Sequence, residues 1–167
     1  MTASEAYAKL RPPEPTPADE ICRCDDTVPI KLMTALSYNP IHCVACNLEV
    51  PPERIGLPPQ LAEAVAHWNQ IADGIERLWL DSGAYESWAR DQLSDLTSPV
   101  NVEGRRLAGE LNRIRRCYYW CFVDETDTTA GLVNCPGCHR LLNTIASGPF
   151  KQGFCDDCNL IGPAADA

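Results

Sequence analysis

The sequence predicts an α+β fold in which a central three-helix segment is flanked by two small β units. Two observations predict it: cysteine pairs occur towards both ends of the chain, and the stretch between them has apolar residues recurring every three or four positions. A chain of 167 residues has the length of one domain with at most a small appendage. We divide it into residues 1–18, 19–56, 57–116 and 117–167, and expect everything from residue 19 onward to form one compact unit.

The composition is that of a globular protein with an excess of cysteine and proline, 10 Cys and 14 Pro. Fourteen Lys and Arg against 23 Asp and Glu give a formal net charge of −9, which disfavours binding of nucleic acid by general attraction to phosphates. No stretch approaches the roughly 18 uncharged apolar residues of a membrane span, and no secretion signal is recognisable at the N-terminus. We expect a cytoplasmic protein that does not contact membranes.

The first two segments are predicted to be a tail and a small β unit. Residues 1–18 lack hydrophobic periodicity, so we expect a flexible tail. Its four prolines are Pro12, Pro13, Pro15 and Pro17. Residues 19–56 contain an alternating apolar stretch from Ile30 to Tyr38 and a turn signal at Asn39-Pro40, which together predict short paired strands.

Three helices are predicted for residues 57–116. The first runs from about 60 to 80 and buries one apolar face. That face consists of Leu61, Val65, Trp68, Ile71, Ala72, Ile75, Leu78 and Trp79. A shorter helix over 84–93 presents Tyr85, Trp88, Ala89 and Leu93, and a third begins at Asn101 as its N-cap and runs to 116.

The last segment, 117–167, is predicted to begin with a strand and to end in a second β unit. Residues 117–125 are rich in aromatic residues and predict the strand. Cys135-x2-Cys138 and Cys155-x2-Cys158 follow, and this spacing is typical of a four-cysteine zinc ribbon, in which two tight turns each aim two thiolates at one ion. Pro136 and Gly137 in the first turn, and Asn159 after the second, suit its unusual dihedral angles.

A second cysteine set lies in residues 19–56. Cys22-x-Cys24 and Cys43-x2-Cys46 have the same architecture, although one pair is separated by a single residue. We therefore expect two structural zinc ions, one for each set, with no coordination position left open for catalysis. Buried free cysteines and, for the CPGC turn, a thioredoxin-like redox pair are the alternatives. The redox interpretation lacks the βαβ pattern that such a site requires.

Cys117 and Cys121 belong to neither set and are expected to be buried as small apolar residues. His42 and His139 each adjoin an expected ligand, and we expect them to support or to border the sites rather than to bind zinc.

An arginine-rich helix face stands out in this acidic chain. Residues 101–116 contain five arginines and two glutamates, a net charge of +3 that leaves −12 for the rest. On a helix, four of the arginines fall within an arc of roughly 100° opposite Leu107, Leu111 and Ile114. They are Arg105, Arg106, Arg113 and Arg116. This face either pairs with the protein's own carboxylates or contacts phosphate or an acidic partner. The aromatic residues that follow, Tyr118, Tyr119 and Trp120, are either core residues or a surface on which bases stack.

Several motifs taken in order resemble a family of uncharacterised bacterial zinc-ribbon proteins described as candidate nucleic-acid-binding proteins. The motifs are CRC, CVAC, VPPERIGLP, LWLDSGAYESWA, GRRLAGELNRI, CYYW, CPGC and FCDDCNL, which cover about residues 20–161. The resemblance implies zinc at Cys135, Cys138, Cys155 and Cys158, and also at Cys22, Cys24, Cys43 and Cys46. The N-terminal part of the family is longer than the tail in this sequence.

These observations predict a non-catalytic zinc-binding interaction protein whose acidic surface binds a partner protein, as an adaptor does or as an immunity protein that covers a basic toxin. The alternative is a nucleic-acid-binding zinc-ribbon protein that uses the arginine face. We do not expect an enzyme, because the sequence has no nucleophile elbow, P-loop, zincin helix or dinucleotide-binding glycine motif.

Overall fold

The computed structural model of the chain describes residues 2–11, 14–34, 36–124, 131–147 and 150–165. Within these residues the protein forms four helices and six strands, a mixed α+β fold as predicted. The helices are α1 (Ala3–Ala8), α2 (Pro59–Asp81), α3 (Glu86–Ser94) and α4 (Pro99–Leu111). The strands are β1 (Ile30–Leu32), β2 (Ile41–Cys43), β3 (Cys117–Trp120), β4 (Asn143–Ser147), β5 (Phe150–Cys155) and β6 (Leu160–Pro163).

All six strands belong to one sheet, in the order β2-β1-β3-β6-β5-β4. Strand β3 lies in the middle and pairs in parallel with β1 on one side and with β6 on the other. The other pairings are antiparallel. The two β units, which we expected to flank the helices within one compact unit, are therefore joined through β3. Strands β1 and β2 are only three residues long, and a two-stranded hairpin of this size is not stable alone. Pairing of β1 with β3 adds a third strand and stabilises the hairpin.

The helices cover one face of this sheet and enclose the main core with it. Trp68 of α2 is fully buried, packs edge-on against Tyr119 of β3 with ring centroids 6.0 Å apart, and donates its indole N–H to the carbonyl of Val100 at 2.9 Å. The predicted first helix is confirmed, and half of its predicted buried face is buried: Leu61, Val65, Trp68 and Ala72. Ile75 and Trp79 are half-buried. Ile71 and Leu78, expected on the same face, are exposed.

The other face of the sheet carries a small second cluster that joins the two β units. Lys31 of β1 is 1% exposed and donates from Nζ to Oε1 of Gln152 on β5 at 2.7 Å. Gln152 in turn donates from Nε2 to the carbonyl of Val44 at 3.0 Å, and the Lys31 ammonium lies 4.4 Å from the ring centroid of Trp120. Burial lowers the pKa of Lys31 to about 8.

A helix occupies part of the segment that we expected to be a flexible tail. Helix α1 begins with a capping box between Thr2 and Glu5 and packs on α2. Leu10 is fully buried, and the Tyr7 hydroxyl donates to the carbonyl of Leu57 at 2.5 Å. The apolar residues that hold α1 in place fill only two turns, too few for a periodicity to be visible in the sequence. Pro12 and Pro13 lie outside the described residues.

The third predicted helix differs at both ends. Helix α4 is capped by Ser98, whose hydroxyl accepts from the backbone N–H of Asn101, and it ends at Leu111 rather than at 116. Asn101 is therefore inside the helix and buried. Its amide donates to three carbonyls at the end of α3 and in the following turn, and its Oδ1 accepts from the Tyr119 hydroxyl at 2.6 Å. The strand predicted for 117–125 is β3, which ends at Trp120; residue 125 lies outside the described residues.

Candidate metal centres

The structure brings the eight cysteines of the two predicted sets into two separate groups. The sulfur atoms of Cys22, Cys24, Cys43 and Cys46 all lie within 4.8 Å of one another, and so do those of Cys135, Cys138, Cys155 and Cys158. A zinc ion with four sulfurs at about 2.3 Å requires sulfur–sulfur separations of about 3.8 Å. The Sγ atoms of Cys138 and Cys155 are 3.7 Å apart, and all ten cysteines are free thiols. Both groups fit a tetrahedral metal ion.

Three of the four cysteine pairs lie on the same type of backbone turn. In the first two turns the N–H of the leading cysteine, Cys43 or Cys135, donates to the carbonyl five residues later, at 2.9 and 2.7 Å. The third turn closes the β5–β6 hairpin with Cys155 paired to Leu160, also five residues later. Because this turn directs both sulfurs of a pair to one side, its threefold recurrence explains how local sequence builds the two groups.

The residue after each of these pairs has a left-handed backbone. Its φ is 63° at Asn47, 61° at His139 and 53° at Asn159. The prediction for Asn159 is confirmed, but in the CPGC turn the left-handed residue is His139 rather than Gly137. Gly137 suits its position for another reason: a Cβ there would lie only 3.2 Å from Sγ of Cys158, a tight contact. Glycine thus permits the two turns of the C-terminal group to approach each other.

The Cys22-x-Cys24 pair lies outside this pattern and is held by an arginine. Cys22 is attached to the sheet edge by its N–H, which donates to the carbonyl of Glu49 at 2.8 Å. The guanidinium of Arg54 donates to the carbonyl of Cys22 at 2.7 Å and also to that of Cys24. Arg54 also forms an ion pair with Asp26 at 2.8 Å. Sequence reasoning missed Arg54, because a lone arginine in a proline-rich connector gives no sign of the carbonyls it contacts.

Each group needs a cation to hold four thiolates. Burial raises the pKa of Cys46 and of Cys158 to about 12, whereas hydrogen bonds from the side chain and backbone of Arg140 lower the pKa of the half-buried Cys138 to about 6. Four thiolates at such short separations repel one another strongly. A divalent ion removes this repulsion, so metal binding and thiol deprotonation are coupled.

The remaining cysteines and the histidines do not join either group. Cys117 and Cys121 are both buried, as expected. The two ring nitrogens of His42 lie 3.2 and 3.1 Å from the carbonyl oxygens of Asn47 and Asn39, and the neutral ring donates to one of them. His42 therefore supports the first turn. His139 is exposed.

Two of the four arginines on the predicted face are engaged within the protein. Arg106 pairs with Glu103 and Glu110 on its own helix. Arg116 pairs with Asp156 at 2.7 Å and stacks on Tyr118, whose hydroxyl donates to the same carboxylate. Arg105 and Arg113 are exposed, and no ion pair joins them to the described part of the chain. Tyr118 and Tyr119 are buried and Trp120 is half-buried, so the two tyrosines belong to the interior.

Comparison with known proteins yields no relative. No protein-family model matches this chain, and no curated protein or solved structure matches it. Of the features that the resembling family implies, the structure supports the two groups of four cysteines. In the described ranges, no helix combines the length and apolar character that crossing a membrane requires.

Proposed function

We propose that this protein is a non-catalytic interaction protein that is stabilised by one structural zinc ion in each cysteine group. The observation that carries the proposal is the convergence of eight sulfur atoms into two compact groups of four. A tetrahedral site made only of cysteine thiolates favours zinc or an iron–sulfur centre, and the repeated tight turns favour zinc. Four protein ligands leave no position for water or substrate, so the role is structural.

The dimensions of the sheet explain why the fold needs metal. The hairpin of β1 and β2 has two strands of three residues each, and such small units cannot bury enough apolar surface to fold alone. Zinc binding at four-thiolate sites contributes on the order of 10 kcal/mol to the folding of small domains. One ion beside each hairpin stabilises both ends of the sheet.

The charge of the molecule favours a basic protein partner. The chain has a formal net charge of −9, and each zinc with four thiolates adds further negative charge. A negative surface accelerates the approach of a basic partner and repels acidic ones. An adaptor, or an immunity protein that covers a basic toxin, fits this description.

Nucleic acid is the less favoured partner. Of the four arginines on the predicted face, Arg106 and Arg116 are neutralised by carboxylates of this chain. The two that remain, Arg105 and Arg113, offer few contacts to a phosphate backbone. Specific nucleic-acid binding normally uses more cations and shows a steep dependence on salt.

Two measurements test the proposal. Native mass spectrometry of the purified protein is expected to show two zinc ions per chain; one ion or none would overturn the metal assignment. A salt titration with DNA and RNA is expected to show no binding in the micromolar range. Micromolar binding with a steep salt slope that is lost in Arg105→Glu/Arg113→Glu, and kept in Arg77→Glu on α2, would replace the protein partner with nucleic acid.

A further inference from the structure

An apolar groove lies between the end of α2 and the start of α3, and none of the eight cysteines of the two groups lines it. It has a volume of 450 Å³ and is lined by Leu78, Tyr85 and Trp88. These side chains are 36%, 60% and 50% exposed. Helix α3 buries Ala89 and Leu93, whereas Trp88 of α3 and Tyr85 just before it keep at least half of their surface exposed. Trp and Tyr in such positions are the residues that dominate protein–protein binding energies.

The turn that presents the groove is held in a fixed shape. Gly83 has a φ of 62° and donates its N–H to Oε1 of Glu86 at 3.0 Å. The N–H of Tyr85 donates to the hydroxyl of Ser82 at 3.1 Å, and that hydroxyl donates to the carbonyl of Leu78. A surface that is already ordered loses little conformational freedom when a partner binds.

The surroundings of the groove are acidic. Residues 78–91, which include the three side chains that line the groove, contain three carboxylates and one arginine, a net charge of −2. Arg77 is paired with Asp73 at 3.0 Å and Arg90 with Asp91 at 3.6 Å. Asp81, one turn from Leu78, and Glu86, next to Tyr85, form no ion pair with the described residues. A second copy of this chain would bring the same negative charge to the groove, so the charge favours a partner with basic side chains.

We propose that this groove binds a segment of a partner protein that combines apolar anchor residues with flanking lysine or arginine. Leu78, Tyr85 and Trp88 form the groove, and Asp81 and Glu86 lie at its rim. The inference deepens the proposed function and rests on it, since it assigns the binding of the basic partner to one site. Apolar side chains of the partner fill the groove, and its cations meet the carboxylates at the rim.

The test uses a synthetic amphipathic helical peptide with leucine on one face and lysine on the other, titrated calorimetrically into the zinc-loaded protein. The expected result is binding that weakens as salt is raised. Trp88→Ala and Leu78→Asp are each expected to weaken it by about thirtyfold. Val102→Asp on α4 replaces another exposed apolar residue and is the matched control, expected to bind like the unaltered protein. Thermal melts check that every variant is folded.

Three outcomes would overturn the site. If Trp88→Ala and Leu78→Asp bind the peptide as tightly as the unaltered protein does, partner binding stands but this groove is not its place. If a peptide with serine in place of leucine binds equally well, the contact is only electrostatic and the groove is not used. If the chain dimerises in sedimentation experiments and Trp88→Ala abolishes the dimer, the occupant is a second copy. Absence of any peptide binding together with two bound zinc ions would overturn the groove and leave the zinc assignment intact.

Discussion

At the scale of single residues, close approach between elements decides which side chains are tolerated. Helix α4 contains two glycines with opposite surroundings. At Gly104 a Cβ would lie 2.4 Å from the Tyr119 ring and 2.9 Å from the Trp68 ring, while at Gly109 nothing lies within 4 Å. The helix therefore reaches the sheet only because residue 104 has no side chain.

This contrast gives a paired test. Gly104→Ala is expected to lower the free energy of unfolding by about 1–3 kcal/mol, because the rings of Trp68 and Tyr119 must move in a packed core. Gly109→Ala in the same helix is expected to raise it by about 0.5–1 kcal/mol, since alanine restricts the unfolded chain and meets no obstacle. Urea denaturation of both variants measures the difference. Equal effects would show that α4 does not pack as described.

Arg54 gives a second prediction at this scale. Arg54→Ala is expected to destabilise the protein by about 1.5–3 kcal/mol, because the carbonyls of Cys22 and Cys24 lose a charged donor. It is also expected to speed the release of metal from the N-terminal group to a chelator. Arg77→Ala removes an exposed ion pair on α2 and is the control, with an expected change of less than about 1 kcal/mol. Metal release as slow as in the unaltered protein would rule out a positioning role for Arg54.

At the scale of elements, helices and turns that are encoded by a pattern of neighbouring residues could be predicted, whereas features that depend on residues distant in the sequence could not. Helix α2 could be predicted because apolar residues recur at spacings of three and four along most of its 23 residues, from Leu61 to Trp79. The start of α4 was misplaced because Ser98 and Asn101 are both good caps; Asn101 instead uses its amide to tie α4 to the end of α3. The three x2 cysteine turns were visible because spacing alone encodes them. Arg54 and helix α1 were missed because their partners are distant in sequence.

Strand β1 carries a prediction about pH. The pKa of Lys31 is about 8 in the folded protein, against an ordinary value of 10.5. Between these values the unfolded chain binds more protons than the folded one, so this residue makes stability rise with pH from about 8 to about 10.5, by up to about 3 kcal/mol. Below pH 8 the cost of burying the charge is constant. We expect Lys31→Met to lack this rise.

Comparing Lys31→Met with the unaltered protein isolates the effect of the lysine, because both proteins contain the same cysteines. Denaturation curves at several pH values provide the measurement. Parallel stability profiles for Lys31→Met and the unaltered protein would mean that the ammonium is not buried as described.

At the scale of the whole molecule, one continuous sheet connects the two cysteine groups, through Cys43 on β2 and Cys155 on β5. The sequence predicted both groups but not their connection, because parallel pairing of β3 with β1 and β6 depends on residues far apart in the chain and leaves no local pattern. Separate ribbons would lose their metal and unfold independently. A continuous sheet with a shared core is expected to unfold as one unit.

Disrupting one group should therefore weaken the other half of the molecule. In Cys138→Ser, hydrogen exchange is expected to be faster in β1 and β2 as well as in β5 and β6, and calorimetry is expected to show a single transition at a lower temperature. Cys117→Ala is the control: this buried cysteine lies outside both groups, and we expect a smaller loss of stability with both metal ions retained. Two separate transitions in Cys138→Ser would contradict the continuous sheet.

The central position of β3 also bears on how the protein is made. During synthesis the first hairpin leaves the ribosome long before residues 117–120, its neighbour in the finished sheet, have been translated. Until then the backbone groups along one side of β1 have only water or a chaperone to satisfy them. Metal captured early by Cys22, Cys24, Cys43 and Cys46 would keep the nascent hairpin in shape during that wait.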